Sequence, residues 1–238
     1  MNLDAYCFSS TGGRANNEDS AQFHLWPEGG IFVVADGLGG CSDGELASKE
    51  TLSVFLSQPW GTSERIKDLL TETAEASHHR ILALQTSKPM SLRSTLLALC
   101  IRNHVAHWVH AGDTRLYYLH FGTLARWTDD HSVAYQRFRA GEISKAQINQ
   151  DADQALLLRA LGEPDRHCIS YDSVPLSPGD GFLLCSDGLW KYLYDGEIAV
   201  DFCKSDTASQ WADHLLLRAA NRMEAGNDNL SLITILVS

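Results

Sequence analysis

Short apolar runs bounded by glycine or polar residues recur along this 238-residue chain. Two of them, at residues 31–35 and 182–186, lead directly into an Asp-Gly dipeptide, at Asp36 and Asp187. Apolar runs of this length between glycines are typical of buried strands. We therefore expect each aspartate to lie where a core strand reaches the surface.

Helical spacing separates these strand-like runs. A capping box opens a predicted helix over about residues 42–57, and apolar positions three and four residues apart predict a second helix over about 63–84. A third helix is predicted over about 207–224, with Gly226 placed to end it.

Further strands complete the pattern, and they are predicted around residues 95–101, 106–111, 116–121 and 230–237. Gly112-Asp113 and Gly122-Thr123 lie between neighbouring strands and are interpreted as hairpin turns. Helices and strands come in pairs rather than in strict alternation. This order favours an α+β layered arrangement over a doubly wound parallel sheet.

No internal repeat, low-complexity tract or linker divides the chain, so we expect a single domain over residues 1–238. Residues 132–161 differ from the rest because they combine a mixed helical pattern with scattered charge. We interpret this stretch as an excursion from the main body.

Charge and hydropathy exclude several kinds of partner. The chain has 19 basic and 30 acidic residues and a formal net charge of −11, which disfavours binding to nucleic acid and to anionic membrane surfaces. No apolar stretch approaches the ~20 residues that span a bilayer, and the N-terminus lacks the features of a signal peptide. These features predict a cytoplasmic protein.

Cysteine and histidine spacing offers little support for a zinc site. The six cysteines form no Cys-x-x-Cys pair, and most of them are interpreted as small buried hydrophobes. His104, His107 and His110 are spaced by three, but on a strand His107 would point away from the other two. We therefore favour polar positions on a sheet over a zinc site.

Acidic residues recur where the chain is expected to leave a strand or helix. Glu18 and Asp19 follow Arg14 closely, Asp113 follows a strand, and Asp228 lies between the last helix and the last strand. Any one of them alone would be interpreted as a turn aspartate. Carboxylates gathered at strand ends repel one another, and a hard divalent cation with oxygen ligands is the usual compensation. Together with Asp36 and Asp187, the set predicts a site for Mg²⁺ or Mn²⁺.

Six segments match one known family in order and in spacing. From about residue 4 to residue 237, the chain resembles the metal-dependent protein phosphatases of type 2C (the PPM family), in their short bacterial form. The matching segments are residues 14–19 (RANNED), 34–40 (VADGLGG), 112–115 (GDTR), 130–132 (DHS), 186–189 (SDGL) and 227–229 (NDN). The resemblance implies a four-layer α-β-β-α sandwich of two antiparallel sheets flanked by helix pairs, with a binuclear metal centre at one edge.

The resemblance also implies which residues hold the ions. Asp36 would bridge two Mn²⁺ or Mg²⁺ ions, and the carbonyl of Gly37 would be a further ligand. Asp187 and Asp228 would complete the first site, and Glu18 would help to hold the second ion.

Three other residues receive roles from the same resemblance. Asp113 is similar to the aspartate that, together with Asp187, holds a weaker third ion in family members. Asp19 would accept a hydrogen bond from metal-bound water. Arg14 would grip the substrate phosphate as a two-pronged donor.

The implied function is hydrolysis of phosphoserine and phosphothreonine in proteins, by a hydroxide that bridges the two ions and attacks phosphorus in line. The implied partners are a phosphorylated protein substrate and a bacterial Ser/Thr kinase whose action is reversed. The protein is expected to be a monomer that binds neither nucleic acid nor a membrane.

Three of the departures from the family bear on the site or on the cleft beside it. Leu38 stands where many eukaryotic members carry a histidine that is proposed to protonate the leaving group. Lys191 stands where many have another aspartate, and its charge is expected to weaken or reshape a third metal site. Residues 132–161 correspond to the segment that forms a flap beside the catalytic cleft in family members. Within it, residues 150–154 differ from the stretch that many bacterial members have.

These departures keep a second hypothesis in view, a pseudophosphatase that binds phosphoproteins with weak or no turnover. A binding module has no need for clustered charges around metal ions. The retained Arg14, Asp36, Asp187 and Asp228 therefore favour the enzyme.

Overall fold

Eleven strands and seven helices are formed by the residues that the computed structural model describes, which are 1–39, 43–87, 91–164 and 169–238. In chain order the strands are β1 (Leu3–Ser10), β2 (Asp19–Trp26), β3 (Gly29–Leu38), β4 (Arg93–Ser94), β5 (Leu96–Arg102), β6 (Val105–Ala111), β7 (Arg115–His120), β8 (Thr123–Trp127), β9 (Ser170–Pro175), β10 (Gly181–Cys185) and β11 (Leu230–Val237). The helices are α1 (Asp43–Leu56), α2 (Ile66–Ser87), α3 (Val133–Arg139), α4 (Lys145–Ile148), α5 (Asp187–Trp190), α6 (Asp195–Cys203) and α7 (Ala208–Ala220).

The strands assemble into two antiparallel sheets. One has the strand order β1-β11-β10-β7-β8, and the other has the order β2-β3-β5-β6-β9 with the short β4 beside β3. Neighbours in both sheets run antiparallel. The predicted α+β class is thus confirmed, and a doubly wound parallel sheet is excluded.

Strand β3 is apolar at consecutive positions because both of its faces are covered. Successive side chains of a strand point to opposite faces. Ile31 and Val33 pack in the cluster that includes α1 and α2, whereas Phe32 and Val34 pack against the other sheet. A strand buried on both sides needs a continuous apolar run, which is the pattern that the sequence shows.

Strand β10 is buried in the same way in the sheet that it forms with β7 and β11. Phe182 and Leu184 face the sheet that contains β3, whereas Leu183 and Cys185 pack with the helical layer that contains Trp211 of α7. The layers are therefore α1 and α2, two sheets, and then α5 to α7, which confirms the predicted α-β-β-α sandwich. Within the described ranges, no helix has the length and apolar character needed to cross a bilayer.

The predicted hairpin turn at Gly112-Asp113 is wrong. Strands β6 and β7 belong to different sheets, so residues 112–114 cross from one sheet to the other. Gly112 has a φ of +101°, and a Cβ on it would lie 2.8 Å from the Cβ of Thr95, so the crossing requires glycine. The crossing buries Asp113, which a hairpin tip would expose.

Other element boundaries differ more modestly from the predictions. Helix α2 begins at Ile66, three residues later than predicted, and α7 ends at Ala220 rather than near Glu224. Strands β8 and β9 and helix α6 were not predicted, because short elements with partly exposed faces carry a weak apolar signal. The turn near Gly122 is confirmed, with φ of +76° at Gly122. The predicted helix cap at residue 42 lies outside the described residues.

Residues 132–161, called the flap below, include the short helices α3 and α4. A small apolar cluster of Ala134, Tyr135 and Ile148 packs them together. An ion pair of 2.5 Å between Lys145 Nζ and Asp195 Oδ2 connects the flap to α6.

Candidate metal centre

Two neighbouring strands bring the first acidic residues together at one sheet edge. Asp19 at the start of β2 pairs in register with Asp36 near the end of β3. The backbone N–H of Gly37 donates to the carbonyl of Glu18 at 3.1 Å, which holds residue 18 beside the end of β3. A Cβ on Gly37 would lie 1.9 Å from the carbonyl oxygen of Gly44 in α1, so only glycine permits this approach.

The other sheet contributes the remaining carboxylates. Asp187 begins α5 directly after β10, and Asp228 lies just before β11, which pairs with β10. The hydroxyl of Ser186 donates to Asp19 Oδ2 at 2.6 Å and thereby links the two sheets at the site. The predicted residues of both Asp-Gly motifs are therefore neighbours, although their positions in the chain are about 150 residues apart.

Two cations contact this acidic group. Arg14 Nη2 lies 3.0 Å from Asp228 Oδ2, and Lys191 Nζ lies 3.4 Å from Asp187 Oδ2. Arg14 has more than half of its side chain exposed, whereas Lys191 is largely buried. Burial opposes the charge of Lys191, but Asp187 and Asp228 offset it and keep the pKa of Lys191 above its usual value.

The carboxylates carry the electrostatic signature of a site that needs positive charge. Burial, and then the charges of Asp19, Asp187, Asp113 and Asp228, raise the pKa of Asp36 well above its ordinary value. Burial and the charge of Asp187 do the same for Asp113. Such mutual repulsion among oxygen ligands is what a hard divalent cation relieves.

Asp19 and Glu18 show smaller shifts of the same sign. Burial raises the pKa of Asp19 to about 7, although hydrogen bonds from Ser186 and Ser231 oppose the shift. Burial, followed by the charge of Asp228, raises the pKa of Glu18. All-oxygen donors of this kind fit Mg²⁺ or Mn²⁺.

The carboxylates do not converge on a single point. Across the described ranges, no three His, Cys, Asp or Glu side chains are grouped closely enough to hold one ion. Arg14, Lys191 and Ser186 instead draw Asp228, Asp187 and Asp19 toward separate partners.

Asn229 organises the site and was missed as an individual residue by the sequence reasoning. Its Oδ1 accepts from the backbone N–H of Glu18 at 2.8 Å, and its Nδ2 donates to the carbonyls of Thr11 and Asn16 at 2.9 and 2.8 Å. This amide therefore ties the loop that carries Arg14 and Glu18 to the start of β11. The NDN segment contained the signal, since a buried asparagine needs several partners.

Thr95 positions the backbone of Asp36 and that of the sheet crossing. Its hydroxyl accepts from the backbone N–H of Asp36 at 2.8 Å and pairs with the hydroxyl of Thr114 at 2.6 Å. The indole N–H of Trp190 donates to the carbonyl of Asp113 at 2.9 Å. These contacts fix the backbone on both sides of Asp113.

A buried ion pair lies where the segment that crosses between the two sheets enters β7. Arg115 Nε and Nη2 donate to Asp130 Oδ1 and Oδ2 at 2.8 and 2.6 Å, and both side chains are at most 4% exposed. The guanidinium also lies over the ring of Trp190, 3.5 Å from its centroid. Sequence reasoning assigned Arg115 and Asp130 only to family segments, without a role.

Two stacked histidines lie where the flap joins the body. The rings of His110 and His131 are 4.7 Å apart, and His131 Nδ1 accepts from the backbone N–H of Gly112 at 3.2 Å. Burial, and then the neighbouring His110, lower the pKa of His131 to about 3. His107 contacts Tyr171 from strand β6, in agreement with the predicted polar position on a sheet. His104 lies instead in the turn between β5 and β6, with φ of +61°, so the predicted sheet position is wrong for this residue.

His131→Asn is expected to make the protein less sensitive to acid. Neutral His131 contributes stability that is complete above about pH 6.5 and is lost as the pH falls toward 3, since the unfolded chain binds a proton that the folded one does not. Linkage gives a loss of about 2 kcal/mol between pH 7 and pH 5 for one such group. Urea unfolding at both pH values should show a smaller loss in the variant.

Asparagine retains an acceptor for the N–H of Gly112, so the comparison isolates the titration of His131. The exposed His24 supplies the control, and His24→Asn should lose as much stability as the wild type. An equal pH dependence in wild type and His131→Asn would contradict this role for His131.

Comparison with known proteins agrees with this arrangement. The family model described as Protein phosphatase 2C matches residues 10–228. The serine/threonine phosphatase Stp of Listeria monocytogenes is 31% identical over 93% of this chain and 90% of its own length. Among solved structures, PppA of Pseudomonas aeruginosa, described as a key regulatory component of its T6SS, superposes with a TM-score of 0.86 at 27% identity over 100% of this chain and 99% of that chain.

A solved structure with metal ions bears on the acidic group. The catalytic domain of the serine/threonine protein phosphatase PstP, in complex with two manganese ions, superposes with a TM-score of 0.83. It is 26% identical and covers 99% of this chain and 98% of that chain. Since the family model spans most of the sequence and the curated relative exceeds 30% identity over nearly its whole length, this chain belongs to the protein phosphatase 2C family.

Proposed function

We propose that the protein is a protein Ser/Thr phosphatase that requires two Mn²⁺ or Mg²⁺ ions. The observation that carries the proposal is the meeting of Asp36, Asp187 and Asp228 from two sheets at one edge, with the exposed Arg14 beside them. The neighbouring carboxylates disfavour the charge of Asp36, and a hydrolase that uses metal ions explains why this group of acidic residues is retained. Membership of the family supports the same chemistry.

The proposed ligands follow from position. Asp36 lies centrally among the carboxylates and would contact both ions, with the carbonyl of Gly37 next to it. Asp187 and Asp228 would hold one ion, and Glu18 would help to hold the other. When bound, the ions would supply an activated water nucleophile and positive charge against the phosphoryl oxygens.

Three further residues have roles beside the ions. Asp19, which accepts from Ser186, would orient a water at the edge of the centre. Arg14 would leave Asp228 to bind the phosphate through two N–H donors. Asp113, near Asp187, is the candidate ligand of a weaker third metal ion.

The remaining functional assignments are proposals of the same kind. The substrate would be a phosphorylated protein, and the enzyme would reverse a bacterial Ser/Thr kinase. It would act in the cytoplasm as a monomer, with residues 1–238 forming one catalytic domain and the flap lying beside the cleft.

Hydrolysis of p-nitrophenyl phosphate and of a phosphothreonine peptide, with Mn²⁺ added and then chelated, tests the proposal. We expect phosphate release that depends on Mn²⁺ and stops on chelation. Absence of turnover with both substrates, in protein that binds Mn²⁺, would favour the pseudophosphatase. The comparisons give that alternative no support.

Arg14→Ala is expected to raise KM for the phosphothreonine peptide by about tenfold to a hundredfold, because a charged hydrogen bond contributes about 1.5–3 kcal/mol. Its affinity for Mn²⁺ should not fall, since Arg14 competes with an ion for Asp228. Steady-state kinetics and calorimetric Mn²⁺ titration measure the two effects. Arg65→Ala, which removes an exposed arginine paired with Asp68, is the matched control. Unchanged KM in Arg14→Ala would remove Arg14 from the phosphate site.

A further inference from the structure

Lys191 differs from Arg14 in how firmly it is held against the acidic group. It follows Asp187 by four residues, one helical turn, so its side chain folds back along α5 toward that carboxylate. The Lys191 side chain is 19% exposed, compared with 56% for Arg14. An arginine exposed to this degree can move to a phosphate, whereas the ammonium of Lys191 is confined beside Asp187.

The ammonium of Lys191 contacts one oxygen of the Asp187 carboxylate. Lys191 Nζ lies 3.4 Å from Oδ2. Within the described chain, no other side chain donates a hydrogen bond to this carboxylate. A further cation at this carboxylate would therefore have to displace the ammonium or accept its repulsion at close range.

We infer that Lys191 is a fixed counter-ion of Asp187 that limits the centre to two divalent cations. The inference rests on the proposed function, because it assumes that Asp187 is a metal ligand. A third ion shared by Asp113 and Asp187 would have to lie beside the carboxylate that the ammonium already contacts, and the two positive charges would repel each other. The lysine thus acts as a positioning residue that sets the number of ions the carboxylates accept.

Counting bound Mn²⁺ tests the inference directly. Free Mn²⁺ can be followed by its electron paramagnetic resonance signal while wild type, Lys191→Met and Lys191→Arg are titrated. We expect two ions per chain in wild type and in Lys191→Arg, which keeps the charge. Lys191→Met, which keeps the length but not the charge, should bind a third ion at Mn²⁺ concentrations at least about tenfold lower than wild type requires.

Lys204→Met is the matched control, since Lys204 pairs with Asp201 one turn earlier on α6, away from the acidic group. It should bind Mn²⁺ as wild type does, and circular dichroism should show that all four proteins are folded. A third ion in wild type at the same concentration, or identical titrations of wild type and Lys191→Met, would overturn the inference.

These outcomes are separable from failure of the proposed function. A wild type that binds two Mn²⁺ ions and hydrolyses phosphothreonine, but matches Lys191→Met in every titration, refutes only the role of Lys191. A wild type that binds no Mn²⁺ and releases no phosphate refutes the metal-dependent enzyme, and the inference with it.

Discussion

Asp36→Asn is expected to lower kcat for a phosphothreonine peptide by at least about a thousandfold, a loss typical of removing preorganised charge from a reacting centre. As the proposed ligand of both ions, Asp36 would contribute to each position, so the amide would weaken both. The metal-free variant should unfold at the same temperature as wild type or higher, because burial already raises the pKa of Asp36 and its charge gives the folded state no advantage. The rise in Tm that Mn²⁺ causes in wild type should be lost.

Asp172→Asn makes the same chemical change at an exposed position, where Asp172 pairs with Arg126. It should leave kcat and the Mn²⁺ response as in wild type. Near-native turnover of Asp36→Asn at limiting Mn²⁺ would show that the ions are held elsewhere.

Asp130→Ala is expected to lower the free energy of unfolding by about 3–5 kcal/mol, the usual cost of leaving a buried charge without its partner. Arg115 would keep its guanidinium in a site that is 4% exposed, and among the described residues only Tyr117 would remain as a side-chain acceptor. Urea unfolding of metal-free protein at pH 7 measures the loss. Because Arg115 also lies over Trp190, Mn²⁺ affinity should fall as well.

A milder variant keeps this prediction testable if Asp130→Ala does not fold. Asp130→Asn retains one acceptor for Arg115 and should lose less stability than the alanine variant. Asp172→Ala breaks an exposed ion pair with Arg126 and should change stability by about 1 kcal/mol or less. Equal effects of Asp130→Ala and Asp172→Ala would mean that burial does not decide the contribution of the pair.

The central strands were predictable because burial on both faces produces a continuous apolar run in the sequence. Residues 31–35 and 182–185 are apolar at consecutive positions since each strand is covered on both faces. The edge strands β8 and β9 have a weaker apolar pattern, because they are short and many of their side chains are partly or fully exposed to solvent. A strand is therefore easiest to predict from sequence when it is buried on both faces.

The error at Gly112-Asp113 has a different origin. A glycine between two apolar runs fits both a hairpin and a crossing between sheets, and local turn chemistry does not distinguish them. The choice depends on which strands pair, and β6 pairs with β5 and β9 whereas β7 pairs with β8 and β10. The pairings of β6 with β9 and of β7 with β10 join residues 60 to 70 positions apart in the chain.

By itself, the sequence determined the α+β class, the two Asp-Gly strand ends and the types of donor at the site. These features depend on residues that are close together in the sequence, so apolar periodicity and residue type are sufficient to predict them. Only the tertiary structure decided how the donors are engaged. Arg14 binds Asp228 across 214 residues, and Asn229 binds Glu18 across 211. The pairing of strands across two sheets creates such contacts, and no local pattern specifies them.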